Sequence, residues 1–302
     1  MPQKASFSTV KNLTPSNLTL KFWTEVSEDF NNPLKIPQNW TTQNDLEFVL
    51  KLRGEYMGSP FICKEKKKIR LKKSTLFYCE VTGSNPNGTL IGLSIGNSFS
   101  MNVISTISSD PRFKKVINVF GNGASFPAHD ELEKYLIENL VKKIKPDVIL
   151  LVQRYFQKYL YNTPIEKIPE HKEFKYWNKI LEIISNYTSA IIINKEQIVF
   201  PYDISQDYMR KKFYGLPIES RIKNPPPSPT LEAWLSLLNC SKCGFYSYRE
   251  AFCDGDFCNV MDLASGLPVF RDTEHISPVG IRHIKPLIVK EINRILNKSV
   301  IN

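Results

Sequence analysis

Residues 91–102 read IGLSIGNSFSMN, an apolar run that ends in the small polar elbow Gly96-Asn97-Ser98. A short apolar run bounded by small polar residues predicts a strand that is buried on both faces, as in a parallel sheet. A serine at the turn after such a strand can lift its hydroxyl out of the sheet and place its backbone N–H at the start of a helix. The elbow alone favours a serine that only caps a helix, and a nucleophile at Ser98 is the alternative that the last part of the chain supports.

Apolar runs alternate with helical patterns in the rest of the chain. Strands that are apolar throughout, each followed by an amphipathic helix, are typical of a parallel sheet covered on both faces. We therefore predict a three-layer α/β/α fold whose reactive residues lie just beyond the carboxyl ends of the strands. The predicted strands are residues 90–95, 116–120, 148–152 and 190–194, and the predicted helices are residues 131–145, 174–187 and 281–296.

The 302 residues are enough for one large α/β domain with an extension. Residues 1–82 are polar, and we predict an extension or linker with a disulfide-closed cap and a helix at residues 46–56. Residues 83–302 form the predicted α/β domain. No apolar run approaches the roughly 18 residues of a membrane helix, and the N-terminus lacks the pattern of a signal peptide. We therefore expect that the chain itself neither crosses a membrane nor directs its own export.

The formal net charge of +10 predicts attraction to polyanions. Much of this excess lies in residues 64–73, which read KEKKKIRLKK. Aromatic side chains do not alternate with the charges, as stacking on bases requires, so the run favours a solvated loop or hairpin. We therefore expect no nucleic-acid partner. Binding of an anionic glycan or of a membrane surface has no second supporting feature in the sequence.

Asn-x-Ser/Thr sequons occur at seven positions, more than the roughly two or three that chance supplies. Together with an even number of clustered cysteines, they favour an oxidising secretory compartment. We expect a glycosylated domain that is extracellular or faces a secretory lumen. The sequon asparagines are Asn12, Asn17, Asn39, Asn87, Asn186, Asn239 and Asn297.

The six cysteines favour disulfides over a metal site. Cys240 and Cys243 have a zinc-ribbon spacing, but the second downstream pair is spaced more widely than usual and the sequons indicate an oxidising compartment. We expect no metal ligands. The candidate disulfide cysteines are Cys63 and Cys79, which form the natural upstream pair, and Cys240, Cys243, Cys253 and Cys258, for which three pairings are open.

The stretch before the last predicted helix, residues 271–280, reads RDTEHISPVG. Asp272 and His275 are three residues apart, so a short loop can place the carboxylate on one imidazole nitrogen and leave the other free as a general base. Ser277 and Pro278 suit the cap and the first residue of the helix that follows. An Asp-x-x-His pattern alone is weak evidence, but its combination with the elbow is specific.

The elbow and this terminal block resemble the first and last signature blocks of SGNH hydrolases, also called the GDSL esterase/lipase family. More narrowly, four features resemble the C-terminal SGNH domain of acyltransferase-three-type membrane O-acyltransferases: Cys79 before the first strand, Gly-Asn-Ser in place of Gly-Asp-Ser, the downstream cysteine cluster, and the terminal block. The resemblance covers residues 63–302. It implies a flavodoxin-like sheet, acyl-ester chemistry without a cofactor, and a multi-span membrane domain upstream in the full-length protein.

The resemblance also implies roles for individual residues. The family's usual Gly-x-Asn-Asp block after the third strand is absent, because the run there reads LLVQRYF and places an arginine at about the position of the asparagine. The O-acyltransferase-type domains also have an arginine there; the alternative is a structural arginine that is paired to an acid at the sheet edge. The implied catalytic residues are Ser98 as nucleophile, His275 as base and Asp272 as the group that orients it; the oxyanion hole is formed by Ser98, Gly123 and Arg154; and the substrate-binding residues are Asn97, Asn122 and Arg154.

The function that follows is O-acyl transfer or ester hydrolysis through an acyl-serine intermediate. The partners are an acyl donor and a hydroxyl acceptor, either a glycan or a small hydroxyl compound. The alternative is an inactive SGNH-fold domain that binds carbohydrate or another protein, which the altered third block favours. The sequence does not decide between water and a sugar as the acceptor, because that depends on how well the site excludes water.

Overall fold

A computed structural model of the protein describes residues 13–55, 63, 67–72, 75–121, 124–127 and 131–301. Its strands are β1 (Lys67–Arg70), β2 (Thr75–Thr82), β3 (Leu90–Gly96), β4 (Phe113–Phe120), β5 (Val148–Val152), β6 (Ala190–Asn194), β7 (Arg221–Lys223), β8 (Cys243–Tyr246), β9 (Cys253–Asp254) and β10 (Phe257–Asn259). Its α-helices are α1 (Asn17–Glu28), α2 (Thr42–Glu55), α3 (Ser98–Ser108), α4 (Glu131–Tyr135), α5 (Lys142–Ile144), α6 (Tyr159–Asn162), α7 (Lys172–Ser185), α8 (Ile204–Tyr214), α9 (Pro229–Ser236), α10 (Tyr248–Phe252) and α11 (Pro278–Ile301).

The main sheet has the strand order β1-β2-β4-β3-β5-β6-β8. Strands β4, β3, β5, β6 and β8 are parallel to one another, whereas β1 and β2 add an antiparallel edge. Numbered along the chain, the five parallel strands have the order 2-1-3-4-5, which is the flavodoxin-like arrangement. The predicted α/β class and the flavodoxin-like sheet are therefore confirmed.

The two faces of this sheet bury separate hydrophobic clusters, which gives the three layers. Along β5, Val148, Leu150 and Val152 belong to one cluster, while Ile149 and Leu151 belong to the other. The alternation follows from the period of two in a strand, and it explains why every residue of β5 is apolar. Helices α3, α8 and α11 cover the first face, and α7 and α9 cover the second.

The strand order places the elbow at a defined position. Strand β4 lies on one side of β3, and β5, the next strand along the chain, lies on the other side, so the order of the strands reverses at β3. In a doubly wound sheet the crevice at this reversal is the usual ligand site. Helix α3 begins at Ser98, two residues after β3 ends, so the serine lies at this switch point.

The predicted elements agree with the structure in their centres and differ at several edges. The predicted helix at residues 131–145 is present as α4, a π-helical segment at Leu136–Val141 and α5, which follow one another without a gap. It ends at Lys145, which has the left-handed conformation. The predicted helix at residues 46–56 corresponds to α2, which begins earlier, at Thr42, and residue 56 lies outside the described residues. Strand β1 lies within residues 64–73, for which a loop or hairpin was predicted, and it pairs antiparallel with β2. Strands β2 and β8 were not predicted, because these short segments lack a clear period. Helix α1 was also not predicted, although its buried residues have a helical spacing.

The N-terminal helices pack into the same cluster as one face of the sheet. Phe22 and Trp23 of α1 and Phe48 of α2 are buried in that cluster. Strand β2 lies within the main sheet, although the predicted division placed it in the extension. The division into residues 1–82 and 83–302 stays a prediction.

All six cysteines are in disulfides, so none is left to bind zinc. Cys253–Cys258 joins β9 to β10 in a small three-stranded sheet of order β7-β10-β9. The other two are Cys63–Cys79 and Cys240–Cys243. The pairing fits an oxidising, extracellular compartment. Among the described residues, no helix has the length and apolar character that crossing a bilayer would require.

We predict that Gly96→Ala strongly destabilises the fold. A Cβ at this position would overlap the carbonyl oxygen of Val152, and both strands are central, so backbone has to move. The free energy of unfolding, measured in urea, should fall by about 3 kcal/mol or more. The matched control is Gly54→Ala at an exposed position of helix α2, where a Cβ meets no atom; it should raise stability by roughly 0.5–1 kcal/mol. Equal effects of the two substitutions would contradict the prediction.

Candidate active site

The elbow after β3 is held by the side chain of Asn97. Its Oδ1 accepts from the backbone N–H groups of Phe99 and Arg154, both at 3.3 Å, and its Nδ2 donates to the carbonyl of Arg154 at 3.2 Å. Asn97 is 1% exposed and serves as the N-cap of α3. It therefore joins the elbow to the segment after β5. Its predicted contact with substrate stays a prediction.

A buried polar network supports the elbow from below. The Ser100 hydroxyl donates to the Asn97 carbonyl at 3.0 Å, and Asn118 Nδ2 donates to Ser100 Oγ at 3.2 Å. The Ser94 hydroxyl donates to the Ser100 carbonyl at 3.3 Å. Because Ser94, Ser100 and Asn118 are fully buried, these bonds satisfy polar atoms that water cannot reach and fix the first turn of α3.

The terminal block forms a short closed loop between two paired residues. Phe270 and Ile276 form an antiparallel bridge, and the N–H of Arg271 donates to the carbonyl of His275 at 2.9 Å. Helix α11 begins directly after this loop, at Pro278. The five residues enclosed by the bridge include Asp272 and His275, whose side chains are thereby brought together.

Asp272 and His275 are hydrogen-bonded to each other. His275 Nδ1 lies 2.9 Å from Oδ2 and 3.1 Å from Oδ1 of Asp272. A carboxylate only accepts hydrogen bonds, so Nδ1 carries the proton and Nε2 of the neutral ring is an acceptor. Asp272 Oδ1 also accepts from the backbone N–H groups of Glu274 at 2.9 Å and His275 at 2.8 Å. The loop thus fixes both the orientation and the tautomer of the imidazole.

The environment keeps Asp272 ionised. Burial by itself raises the pKa of this carboxyl. The hydrogen bonds from the His275 side chain and from the two backbone N–H groups lower the pKa by more than burial raises it, so the pKa lies well below its ordinary value. Arg271 Nε, 3.2 Å from Oδ2, adds a positive charge. The site therefore holds a negative charge behind the imidazole at neutral pH.

Ser98 and His275 meet although they are 177 positions apart in the sequence. Ser98 Oγ lies 2.9 Å from His275 Nε2, within hydrogen-bond distance, and the serine is only partly buried. The ring of Phe99 stacks on the imidazole with a centroid distance of 4.4 Å. A reactant can therefore approach the hydroxyl while the imidazole is held on one face. This arrangement can transfer the serine proton to His275.

Arg154 is bound to the same loop. Its guanidinium forms an ion pair with Glu274, the residue before His275, and also lies 5.1 Å from the centroid of the Phe156 ring. The Arg154 side chain is 34% exposed and that of Glu274 is 14% exposed. The arginine thus links the end of β5 to the terminal loop, and its predicted oxyanion and substrate roles stay predictions.

Asn122 and Gly123, which were predicted to contribute to the site, lie outside the described residues. The residues around them are anchored. The N–H of Gly121 donates to the Gly96 carbonyl at 3.1 Å, so this N–H is hydrogen-bonded to the backbone of the elbow. The backbone N–H of Phe126 donates to Gln153 Oε1 at 2.6 Å, and Gln153 Nε2 donates to the Phe126 carbonyl at 2.5 Å.

Sequence reasoning missed three residues of this site. Phe99 covers the imidazole, Glu274 holds Arg154, and Gln153 holds the segment after β4. Glu274 lies inside the terminal block; the alternative of an arginine paired to an acid was considered, but the acid was not identified. For Phe99 and Gln153 the sequence carries no such signal, since their roles depend on packing. Within the described residues, no group of three or more His, Cys, Asp or Glu side chains is placed to hold a metal ion.

We predict that the stability supplied by Asp272 depends on pH. Because its folded-state pKa is lowered, its contribution is complete above the ordinary value of 3.8 and is lost as the pH falls through the folded-state pKa. Asp272→Asn should lower the unfolding free energy at pH 7 by about 2 kcal/mol, with a smaller deficit at pH 3. Urea unfolding at both pH values tests this. Asp254→Asn, at a side chain that is 95% exposed, is the control and should change little at either pH. A deficit that grows at pH 3 would contradict the prediction.

Comparison with known proteins identifies the family. The sequence matches the family described as "SGNH domain (fused to AT3 domains)" over residues 63–290. No curated protein matches the chain.

Several solved structures are also similar to the chain. The chain is similar to the periplasmic domain of the lipopolysaccharide acetyltransferase of Salmonella ser. Paratyphi A, with 15% identity, coverage of 72% of this chain and 85% of that chain, and a TM-score of 0.48. It is also similar to a mutant of an acetyl-xylooligosaccharide esterase from Geobacillus, with 16% identity, coverage of 70% and 95%, and a TM-score of 0.35. The family match alone spans most of the chain. The chain therefore belongs to the SGNH domain family that occurs fused to AT3 domains.

Proposed function

We propose that this protein transfers or hydrolyses O-acyl esters through an acyl intermediate on Ser98. Membership in the SGNH domain family supports acyl transfer or ester hydrolysis as the class of chemistry. The observation that carries the proposal is the hydrogen-bonded series Ser98, His275 and Asp272 at the switch point of the sheet. The same arrangement of roles recurs on unrelated folds, where it is recognised by geometry.

In the first half-reaction, His275 Nε2 takes the proton of Ser98 as Oγ attacks the acyl carbonyl carbon. The Asp272 carboxylate stabilises the imidazolium and keeps Nδ1 protonated. The tetrahedral intermediate then collapses, the bond to the alkoxide leaving group breaks, and the leaving oxygen receives the proton from Nε2. The products are an acyl-Ser98 ester and a free alcohol.

In the second half-reaction, a hydroxyl group attacks the acyl-Ser98 ester. His275 Nε2 takes its proton, the bond between the acyl carbon and Oγ breaks, and the proton returns to Ser98. Water as attacking group gives ester hydrolysis, and a hydroxyl of a glycan or small molecule gives acyl transfer. We propose a carbohydrate or small hydroxyl compound as the acceptor, in line with the resemblance drawn from the sequence.

The negative oxygen of each tetrahedral intermediate needs donors. The Ser98 N–H is one, because Ser98 is the first residue of α3 and its N–H lies at the positive end of the helix. Gly123, Asn122 and Arg154 are the further candidates. Arg154 can contribute when its guanidinium turns from Glu274 toward the nucleophile, and the ion pair meanwhile keeps it beside the site.

The proposal extends to the cellular context. The family description names fusion to AT3 domains, and we propose that a multi-span membrane acyltransferase domain precedes this chain in the full-length protein and delivers the acyl group. The three disulfides support a domain on the extracellular or lumenal side, where the sequons can carry glycans.

We predict that a fluorophosphonate probe labels the protein at Ser98. Wild type should react at pH 7.5, and Ser98→Ala should lose labelling and the hydrolysis of p-nitrophenyl acetate by about a thousandfold or more, because no other group replaces the nucleophile. Intact-mass and peptide mass spectrometry locate the adduct.

The matched control is Ser265→Ala. Ser265 also lies beside an acid and a histidine, because Asp262 is hydrogen-bonded to His283. Its hydroxyl, however, donates to the Asp262 carboxylate at 2.5 Å and not to the imidazole. This variant should label like wild type. A wild-type protein that binds glycans but resists the probe would favour the inactive carbohydrate-binding alternative.

We predict that Arg154→Ala slows formation of the acyl-enzyme by roughly 10- to 100-fold, because the oxyanion loses one donor. Glu274→Gln removes the ion-pair charge and leaves the arginine in place, so it should retain most of the activity. Single-turnover acylation with p-nitrophenyl acetate distinguishes the two variants. An equal loss in both would indicate that the pair acts only as a structural link.

A further inference from the structure

Helices α1 and α2 precede residues 63–290, which match the family. Helix α2 nevertheless packs against α8, which lies within the matched residues. Two ion pairs join α2 to α8 at its opposite ends. Lys212, in the last turn of α8, pairs with Asp45 at 2.7 Å. Arg53 pairs with Asp203, the N-cap of α8, at 2.5 Å. Both contacts are ion pairs, but one is at the beginning of α8 and the other is at its end.

The contact of Arg53 fixes the first turn of α8. Arg53 Nη1 lies 2.5 Å from Oδ1 and 2.6 Å from Oδ2 of Asp203. Oδ1 also accepts from the backbone N–H of Gln206 at 2.8 Å, as an N-cap does. The guanidinium therefore holds the carboxylate that begins the helix.

The beginning of α8 and the segment before it carry the loop of the terminal block. The Ser205 hydroxyl donates to the Phe270 carbonyl at 2.8 Å, and the Phe200 N–H donates to the Thr273 carbonyl at 2.8 Å. The Ile204 N–H reaches the Asp272 carbonyl at 3.4 Å. These bonds hold the backbone on both sides of Asp272, and Ser205 is fully buried.

The Arg53–Asp203 ion pair is expected to matter more for the reaction rate than for the stability of the fold. The Arg53 and Asp203 side chains are 29% and 23% exposed, and ion pairs this close to solvent contribute about 1 kcal/mol or less to folding. A small displacement of a catalytic group is more costly to the rate, since about 1 Å can lower it roughly a hundredfold. The loss of the Arg53 contact should therefore affect the reaction more than the fold.

We propose that Arg53 is a positioning residue for the reaction: through Asp203 and the first turn of α8, it holds the backbone of the loop that carries Asp272 and His275. The inference rests on the proposed acyl-serine function. It assigns to α2, outside the matched family residues, a part in aligning the acid and the base with Ser98.

The experiment compares Arg53→Ala with Lys212→Ala, which removes the matched pair at the far end of α8. Fluorophosphonate labelling over a range of probe concentrations gives the maximal rate and the half-saturating concentration, and urea unfolding gives stability. Arg53→Ala should lower the maximal rate about tenfold with an unchanged half-saturating concentration, and Lys212→Ala should lower it less than twofold. Arg53→Lys, which keeps the charge, should recover most of the lost rate.

Asp203→Asn provides a second route to the same contact. Asparagine is an equally good N-cap, so the first turn of α8 stays helical. The ion pair that anchors this turn to Arg53 of α2 is lost. This variant should match Arg53→Ala in rate, and the double variant should be no slower than either single one. Equal losses in the Arg53 and Lys212 variants, additive losses in the double variant, or losses that follow only the unfolded fraction would overturn the inference. Wild-type protein that does not label would instead overturn the proposed function.

Discussion

The close approach of β3 to β5 at Gly96 is the constraint on which the site depends. No side chain fits between this residue and the Val152 carbonyl, so the two strands stay in contact up to their carboxyl ends. Asn97 can therefore bond the backbone of Arg154 across the gap, and this contact sets the direction in which α3 begins. The position of Ser98 follows from the backbone of two neighbouring strands, and groups carried by such elements are placed more precisely than groups on loops.

The second half of the site depends on a balance at Asp272. Its partial burial opposes ionisation, whereas donors from the His275 ring and from two backbone N–H groups favour it, and the donors prevail. The same bonds that keep the carboxylate charged also fix where it points. The tautomer of His275 follows from that charge, and so does the acceptor character of the nitrogen that faces Ser98. The electrostatics and the geometry of this pair thus have one common cause.

Much of this arrangement could be read from the sequence, because its parts are local. The buried strands are continuous apolar runs, the elbow interrupts one of them, and Asp272 and His275 are close in the chain. Strand β8 is short and has no such pattern, since its stability comes from pairing with β6, which is distant in sequence. Helix α1 has a helical spacing of buried residues, but the core that it packs against is also distant in sequence. An acid partner for Arg154 was one of the two alternatives, but its identity as Glu274 and the stacking of Phe99 on His275 were not predicted, because both contacts form only after distant parts of the chain have met.

The unusual residues after β5 are explained by the contacts they make. Where the family's third block is absent, Gln153 points to one side and bonds the backbone of Phe126 in the segment after β4. Arg154 bonds the elbow through its backbone and the terminal loop through its guanidinium. Two consecutive residues thus connect β5 to all three segments around the nucleophile. Loss of the family pattern at this position has therefore not left the sheet edge unsupported, because polar side chains of different chemistry hold the same loops in place.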